Sequence, residues 1–145
     1  MLSCKTYALS VDRPSPHSPM TLDRPYSILV TDDDPAVRET FRDIFEPAGY
    51  RTLLAESGEQ AIDIVQDNEI HLAVMDMNLP KLSGLETMAI VRQIKGVFPM
   101  ILVSAEQDEG LMRKALSGHA FCVLSKPVSK NLVIYVVSRA LTKFY

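Results

Sequence analysis

Four stretches of this chain carry side chains that could do chemistry together: Thr31-Asp32-Asp33-Asp34, Asp76, Ser104 and Lys126. If folding gathers Asp32, Asp33 and Asp76, their charges must be dealt with. Two like charges about 4 Å apart repel by roughly 4 kcal/mol at an effective dielectric of about 20, and Lys126 is the single counter-charge in the set. A divalent cation is the simpler remedy. Carboxylates plus waters, with room for a phosphate oxygen, suit Mg²⁺ better than Ca²⁺ or Zn²⁺. No histidine or cysteine stands at metal-ligand spacing: His17, His71, His119, Cys4 and Cys122 are scattered along the chain. A carboxylate beside such an ion can attack phosphorus and form an aspartyl phosphate. Asp76 is the candidate nucleophile, with the Ser104 hydroxyl and the Lys126 ammonium as donors to the transferring group.

The surrounding pattern says how these residues meet. Short apolar runs at 28–30, 52–55, 72–75, 100–103 and 121–124 alternate with segments of helical spacing, as in a βα repeat whose parallel sheet is buried on both faces. Ligands in such sheets bind beyond the carboxyl ends of the strands, and that is where Asp32, Asp33, Asp76, Ser104 and Lys126 all fall. The helices announce their starts. Asp34 caps a helix opened by Pro35, with Val37, Phe41, Ile44, Phe45 and Ala48 on one face and Pro47 as its stop. Ser57 with Gln60, and Ser83 with Glu86, have capping-box spacing and predict helices over 58–66 and 84–95. A fourth helix is predicted over 109–117. A fifth follows Ser129, with Val133, Val136, Val137, Ala140, Leu141 and Phe144 as its stripe.

Composition narrows the classes. The 145 residues are 47% apolar, enough for one core without disulfide or metal staples. Fifteen Lys and Arg against eighteen Asp and Glu give a net charge of -3, which argues against an electrostatic grip on nucleic acid. No apolar run is long enough to span a bilayer. Two cysteines form no disulfide framework and point to a reducing cytoplasm. Residues 1–25 hold Pro14, Pro16, Pro19 and Pro25 without apolar periodicity and are expected to be a disordered leader, with Met20 as an alternative start; residues 26–145 form the folded domain.

The segments Ile28-Leu29-Val30-Thr31-Asp32-Asp33-Asp34 and Val74-Met75-Asp76-Met77-Asn78-Leu79-Pro80-Lys81-Leu82-Ser83-Gly84, followed by Ser104-Ala105 and Lys126-Pro127, resemble the receiver domain of bacterial response regulators of two-component systems, and the chemotaxis regulators among them. The resemblance runs from Tyr26 to Tyr145. It implies a flavodoxin-like (βα)5 fold, a doubly wound five-stranded parallel sheet in order 2-1-3-4-5. It further implies that Asp76 is phosphorylated by a sensor histidine kinase or a histidine phosphotransfer protein. Asp33, Asp76 and the Asn78 backbone carbonyl would hold Mg²⁺, with Asp32 acting through water. Ser104 would turn toward the phosphoryl group, Lys126 would pair with it, and the peptide bond before Pro127 would be cis. Asn78 and Glu106 flank the site as in chemotaxis-type receivers, implying a short-lived phosphoryl group.

Two positions depart from the family pattern. Val123 stands where an aromatic switch residue is usual. His119 stands where a glycine commonly follows the fourth helix, and the neighbouring Gly118 is expected to make the turn instead. Leu132, Ile134 and Tyr135 lie outside the fifth helix's main stripe, so some should be exposed. With helix four and strand five, that face is expected to bind a downstream protein or a second copy. The chain is thus expected to act as a stand-alone switch rather than as an enzyme with a metabolite substrate. Two alternatives stay open: a degenerate receiver used as an interaction module, and a haloacid-dehalogenase-like phosphatase. The second would need an acid two residues after its nucleophile, where Asn78 stands. A flavodoxin-like nucleotide binder is disfavoured by the acidic first loop.

Overall fold

The structure, a computed structural model, describes residues 25–106 and 109–145. The expected leader lies, apart from Pro25, outside the described residues. Ten elements alternate along the chain: β1 (Ser27–Thr31), α1 (Pro35–Phe45), β2 (Arg51–Ala55), α2 (Gly58–Asp67), β3 (Leu72–Asp76), α3 (Gly84–Lys95), β4 (Met100–Ser104), α4 (Glu109–Ser117), β5 (Cys122–Ser125) and α5 (Lys130–Phe144). The strands form one parallel sheet in order β2-β1-β3-β4-β5. Register pairs Thr31 with Ala55 and with Met75, Asp76 with Val103, and Ser104 with Ser125. All carboxyl ends therefore share one rim.

Alternation along the strands builds two cores, because successive side chains point to opposite faces. Leu29, Ala73, Met75 and Leu102 pack under α2, α3 and α4, against Val65, Met88, Val91 and Ala115. Ile28, Val30, Leu72, Val74, Ile101 and Val103 pack under α1 and α5, against Phe41, Phe45, Val133 and Val137. Each such buried side chain contributes about 1.5–3 kcal/mol relative to exposure, so the rim rests on a rigid scaffold.

Local signals set the helix starts. The Asp34 side chain accepts from the Ala36 N–H, with Pro35 in the first turn. Ser57 accepts from the Gln60 N–H, and the Gln60 side chain reaches back to the Glu56 N–H. Ser83 and Glu86 form a complete reciprocal box. α1 ends at Phe45, two residues before Pro47, which has no N–H to continue it.

Three expectations are corrected. The sheet is not buried throughout: in β2 only Ala55 is buried and Arg51 is exposed, because this strand is an edge with a neighbour on one side. β5 starts one residue late, at Cys122, and is the other edge. The turn after α4 is made not by Gly118 but by His119, which itself adopts a left-handed conformation with φ 70°. Gly118 has no positive φ, and a Cβ there would sit 2.7 Å from the flexible end of Met88. Among the described residues, no helix is long and apolar enough to cross a membrane.

Candidate functional site

The rim gathers acids from β1 and β3. Asp32 follows β1 directly and is buried; its backbone N–H donates to the Ala55 carbonyl at 3.1 Å, so β2 holds the chain in place at the strand's end. Its side chain is held from both ends: Oδ1 accepts from the Asp34 N–H at 2.9 Å and Oδ2 from Lys126 Nζ at 2.8 Å. Asp76 ends β3 and is also buried. Its Oδ1 accepts from the Asn78 N–H at 3.1 Å, and its Oδ2 from Lys126 Nζ at 3.2 Å. Asp33 is exposed, at the mouth of the cluster. Oxygens of Asp32, Asp33 and Asp76 all lie within 4.8 Å of one another.

Lys126 reaches this cluster from β5. Its backbone N–H donates to the Ser104 carbonyl at 2.9 Å, and the Lys126–Pro127 peptide is cis. Burial works to lower the lysine's pKa, but hydrogen bonds and charge from Asp32 and Asp76 outweigh it, and the net shift is upward. Burial likewise pushes the Asp76 carboxyl above its ordinary range. The Asn78 N–H opposes that, the Asp32 charge adds to it, and Lys126 opposes it. The acid that faces phosphorus in the sequence reading is thus also one whose charge the fold disfavours.

Ser104 is fully buried at the end of β4, and its hydroxyl faces its own loop. It donates to the Glu106 carbonyl at 2.8 Å and accepts from the Glu106 N–H at 3.1 Å. Asn78 is exposed and holds Asp76 through its backbone. The loop carrying it is fixed by Gly84 at the start of α3, whose N–H donates to the Met77 carbonyl at 3.0 Å. A Cβ at Gly84 would collide with the Asp76 carbonyl oxygen and lie 2.7 Å from Met77 Cα, so only glycine lets α3 come this close.

The structure therefore brings Asp32, Asp33, Asp76 and Lys126 together, places Ser104 on the neighbouring strand end, and positions Asn78 beside Asp76. Arg38, unremarked in the sequence, also belongs to the site: its guanidinium donates to the Asp32 carbonyl at 2.7 Å and clamps the β1–α1 turn. Its place one helical turn after the cap is the only sequence signal that pointed to it. The donor set fits Mg²⁺ by its chemistry. Hard carboxylate oxygens converge, two of them are buried, and one ammonium leaves two negative charges for a divalent ion to neutralise.

Comparison with known proteins supplies the context. The family described as the response regulator receiver domain matches residues 28–138. The chain is 30% identical over 119 residues to response regulator RR06 of Streptococcus pneumoniae, covering 82% of this chain and 54% of that protein. It thus spans about half the length of RR06. It is 30% identical over 105 residues to the polar-differentiation response regulator DivK of Brucella ovis, covering 71% of this chain and 85% of DivK. A solved response regulator receiver domain protein from Clostridium thermocellum superposes with a TM-score of 0.77 at 26% identity, covering 81% of this chain and 95% of that one.

Proposed function

The chain belongs to the response regulator receiver domain family, and on that premise we propose that residues 26–145 act as a phosphorylation-driven switch of a two-component or phosphorelay system, with Asp76 as acceptor. The observation that carries this reading is the Lys126 ammonium bridging Asp32 and Asp76 while Asp33 lies in the same oxygen cluster.

A carboxylate oxygen of Asp76 attacks the phosphorus of a phosphohistidine on a sensor histidine kinase or a histidine phosphotransfer protein. The O–P bond forms as the N–P bond breaks, and the donor imidazole leaves with the electron pair. Asp33, Asp76 and the Asn78 carbonyl would hold Mg²⁺, with Asp32 contributing through water; bound there, the ion neutralises charge on the phosphoryl oxygens. Lys126 supplies a second positive charge. The Ser104 hydroxyl, once turned from Glu106, donates to a phosphoryl oxygen and carries the change into the loop before α4. Water attack on the acyl phosphate resets the switch, and Asn78 and Glu106 at the mouth set how fast.

The domain turns over no metabolite; its output is a change of protein partner in the cytoplasm, without direct contact to nucleic acid or membrane. Leu116 on α4 and Leu132 and Tyr135 on α5 are exposed at 54%, 48% and 59%. They support an output face over α4, β5 and α5 for a downstream protein or a second copy. The test is treatment with acetyl phosphate and Mg²⁺ followed by intact mass. The wild-type chain should gain one phosphoryl group and Asp76→Asn none; labelling of both, or of neither, would overturn the reading.

A further inference from the structure

The left-handed His119 after α4 is not used by the proposed phosphorylation site, which lies at the other end of that helix. His119 takes φ 70° although Gly118 stands beside it. A non-glycine residue in this region is strained, so the chain keeps an imidazole at 119 where glycine would sit without strain.

That imidazole stands at the edge of a groove. Leu85, Met88 and Ala89 of α3 and Gly118 after α4 form the apolar floor of an open cavity of about 460 Å³, rimmed by Arg92, Lys114 and His119. A Cβ at Gly118 would sit 2.7 Å from Met88 Cε, the flexible end of that side chain. Neither Arg92, Lys114 nor His119 has an acidic partner within ion-pair distance among the described residues. In a chain of net charge -3, two fixed cations and an imidazole thus surround a non-polar trough.

We propose that the α3–α4 groove is a second docking site, separate from the α4–β5–α5 face. Its occupant is an acidic peptide segment of a partner protein with one or two large apolar side chains. The apolar floor takes the anchor and the rim takes flanking carboxylates, a division between burial and charge usual in peptide recognition. The volume falls within the range of ligand sites, and its openness to solvent admits a chain passing through. The segment of this chain before the described residues is a poor occupant: Lys5, Arg13 and Arg24 outnumber Asp12 and Asp23, so it carries the same sign as the rim.

The probe is a synthetic peptide of glutamates carrying two leucines one helical turn apart, titrated into the ¹⁵N-labelled protein. Amide shifts are expected at Leu85, Met88, Ala89, Gly118 and His119. The double variant Arg92→Glu, Lys114→Glu should weaken binding at least about tenfold, as like charges then face each other. The same peptide with alanines for leucines should also fail, as should one with lysines for glutamates. Shifts confined to other surfaces, equal binding of the leucine-free peptide, or an unchanged affinity in the double variant would overturn the proposal. So would sedimentation showing a dimer that Arg92→Glu disrupts, which would make a second copy the occupant. Because His119→Gly keeps the turn and relieves strain, it should be more stable yet bind the peptide more weakly, which separates loss of docking from loss of fold.

Discussion

Lys126 is bound more closely to Asp32, at 2.8 Å, than to Asp76, at 3.2 Å. The ammonium is thus anchored by an acid that keeps its place during the proposed reaction, and its second contact is the one that can yield to a phosphoryl oxygen.

Removing that ammonium should expose the electrostatic problem it solves. Lys126→Met leaves two buried carboxylates facing each other and is expected to lose about 2 kcal/mol of stability in chelator. It should bind Mg²⁺ more tightly than the wild type, because the ion no longer competes with a resident cation. Thermal unfolding across a Mg²⁺ titration reads both effects through the ligand-linked rise in Tm.

Asp76 has its carboxyl raised above the ordinary 3.8 chiefly by burial. The folded state therefore holds this proton to higher pH than the unfolded chain does. Stability falls as pH rises between the two values, and the full cost is present above the folded one. Asp76→Asn should then be more stable than the wild type at pH 7 without Mg²⁺, by about 1 kcal/mol or ~4 °C in Tm. The advantage should shrink toward pH 4 and on adding Mg²⁺. Paired thermal melts over pH and Mg²⁺ check it.

His71 sets the opposite dependence at the other end of the sheet. It is buried, its Nδ1 accepts from the Ser27 N–H at 2.9 Å, and the ring lies edge-on to Tyr26 and Tyr145. Burial lowers its pKa below 6.5, with Glu69 opposing and Lys95 adding. The folded state resists the proton that the unfolded chain accepts, so this contribution is complete above the unfolded value and fades as pH falls below about 6.5. His71→Asn keeps an acceptor for Ser27 and cannot titrate. Its stability difference from the wild type should narrow between pH 7 and pH 5, a trend that chemical denaturation at each pH would reveal or refute.

Gly84→Ala should be far costlier than an ordinary helix-start substitution. The added methyl meets backbone, the Asp76 carbonyl oxygen and Met77 Cα, not a flexible side chain. A loss of about 3 kcal/mol is expected from overpacking, together with slower phosphorylation, since the displaced strand end carries the acceptor. Gly58→Ala is the comparison: its Cβ would meet the Thr87 hydroxyl and not the backbone of Asp76, so it should lose stability without changing the phosphorylation rate of the folded fraction.

The sequence was most informative where the cause is local. The reciprocal box of Ser83 with Glu86, the Asp34 cap before Pro35 and the start of the fifth helix after Ser129 each depend on neighbours within a turn, and each stands as expected. The acidic cluster was legible because strand ends in a parallel sheet converge by topology. Contacts between distant segments were not. The Tyr145 hydroxyl on the His71 carbonyl at 2.9 Å joins residues 74 apart and arises from how α5 lies on the sheet, which no spacing encodes. Glycine propensity points such a turn to Gly118, yet the left-handed residue is His119, a choice that no local pattern signals.

The Ser104 hydroxyl both gives a hydrogen bond to Glu106 and takes one from it. No rotation about its Cα–Cβ bond can surrender one without the other, and the pair is worth about 1–2 kcal/mol. The link between Ser104 and Glu106 is therefore engaged or released as a unit, like a clutch worked by a single torsion, at an energy small enough for the phosphoryl oxygen of the proposed switch to supply.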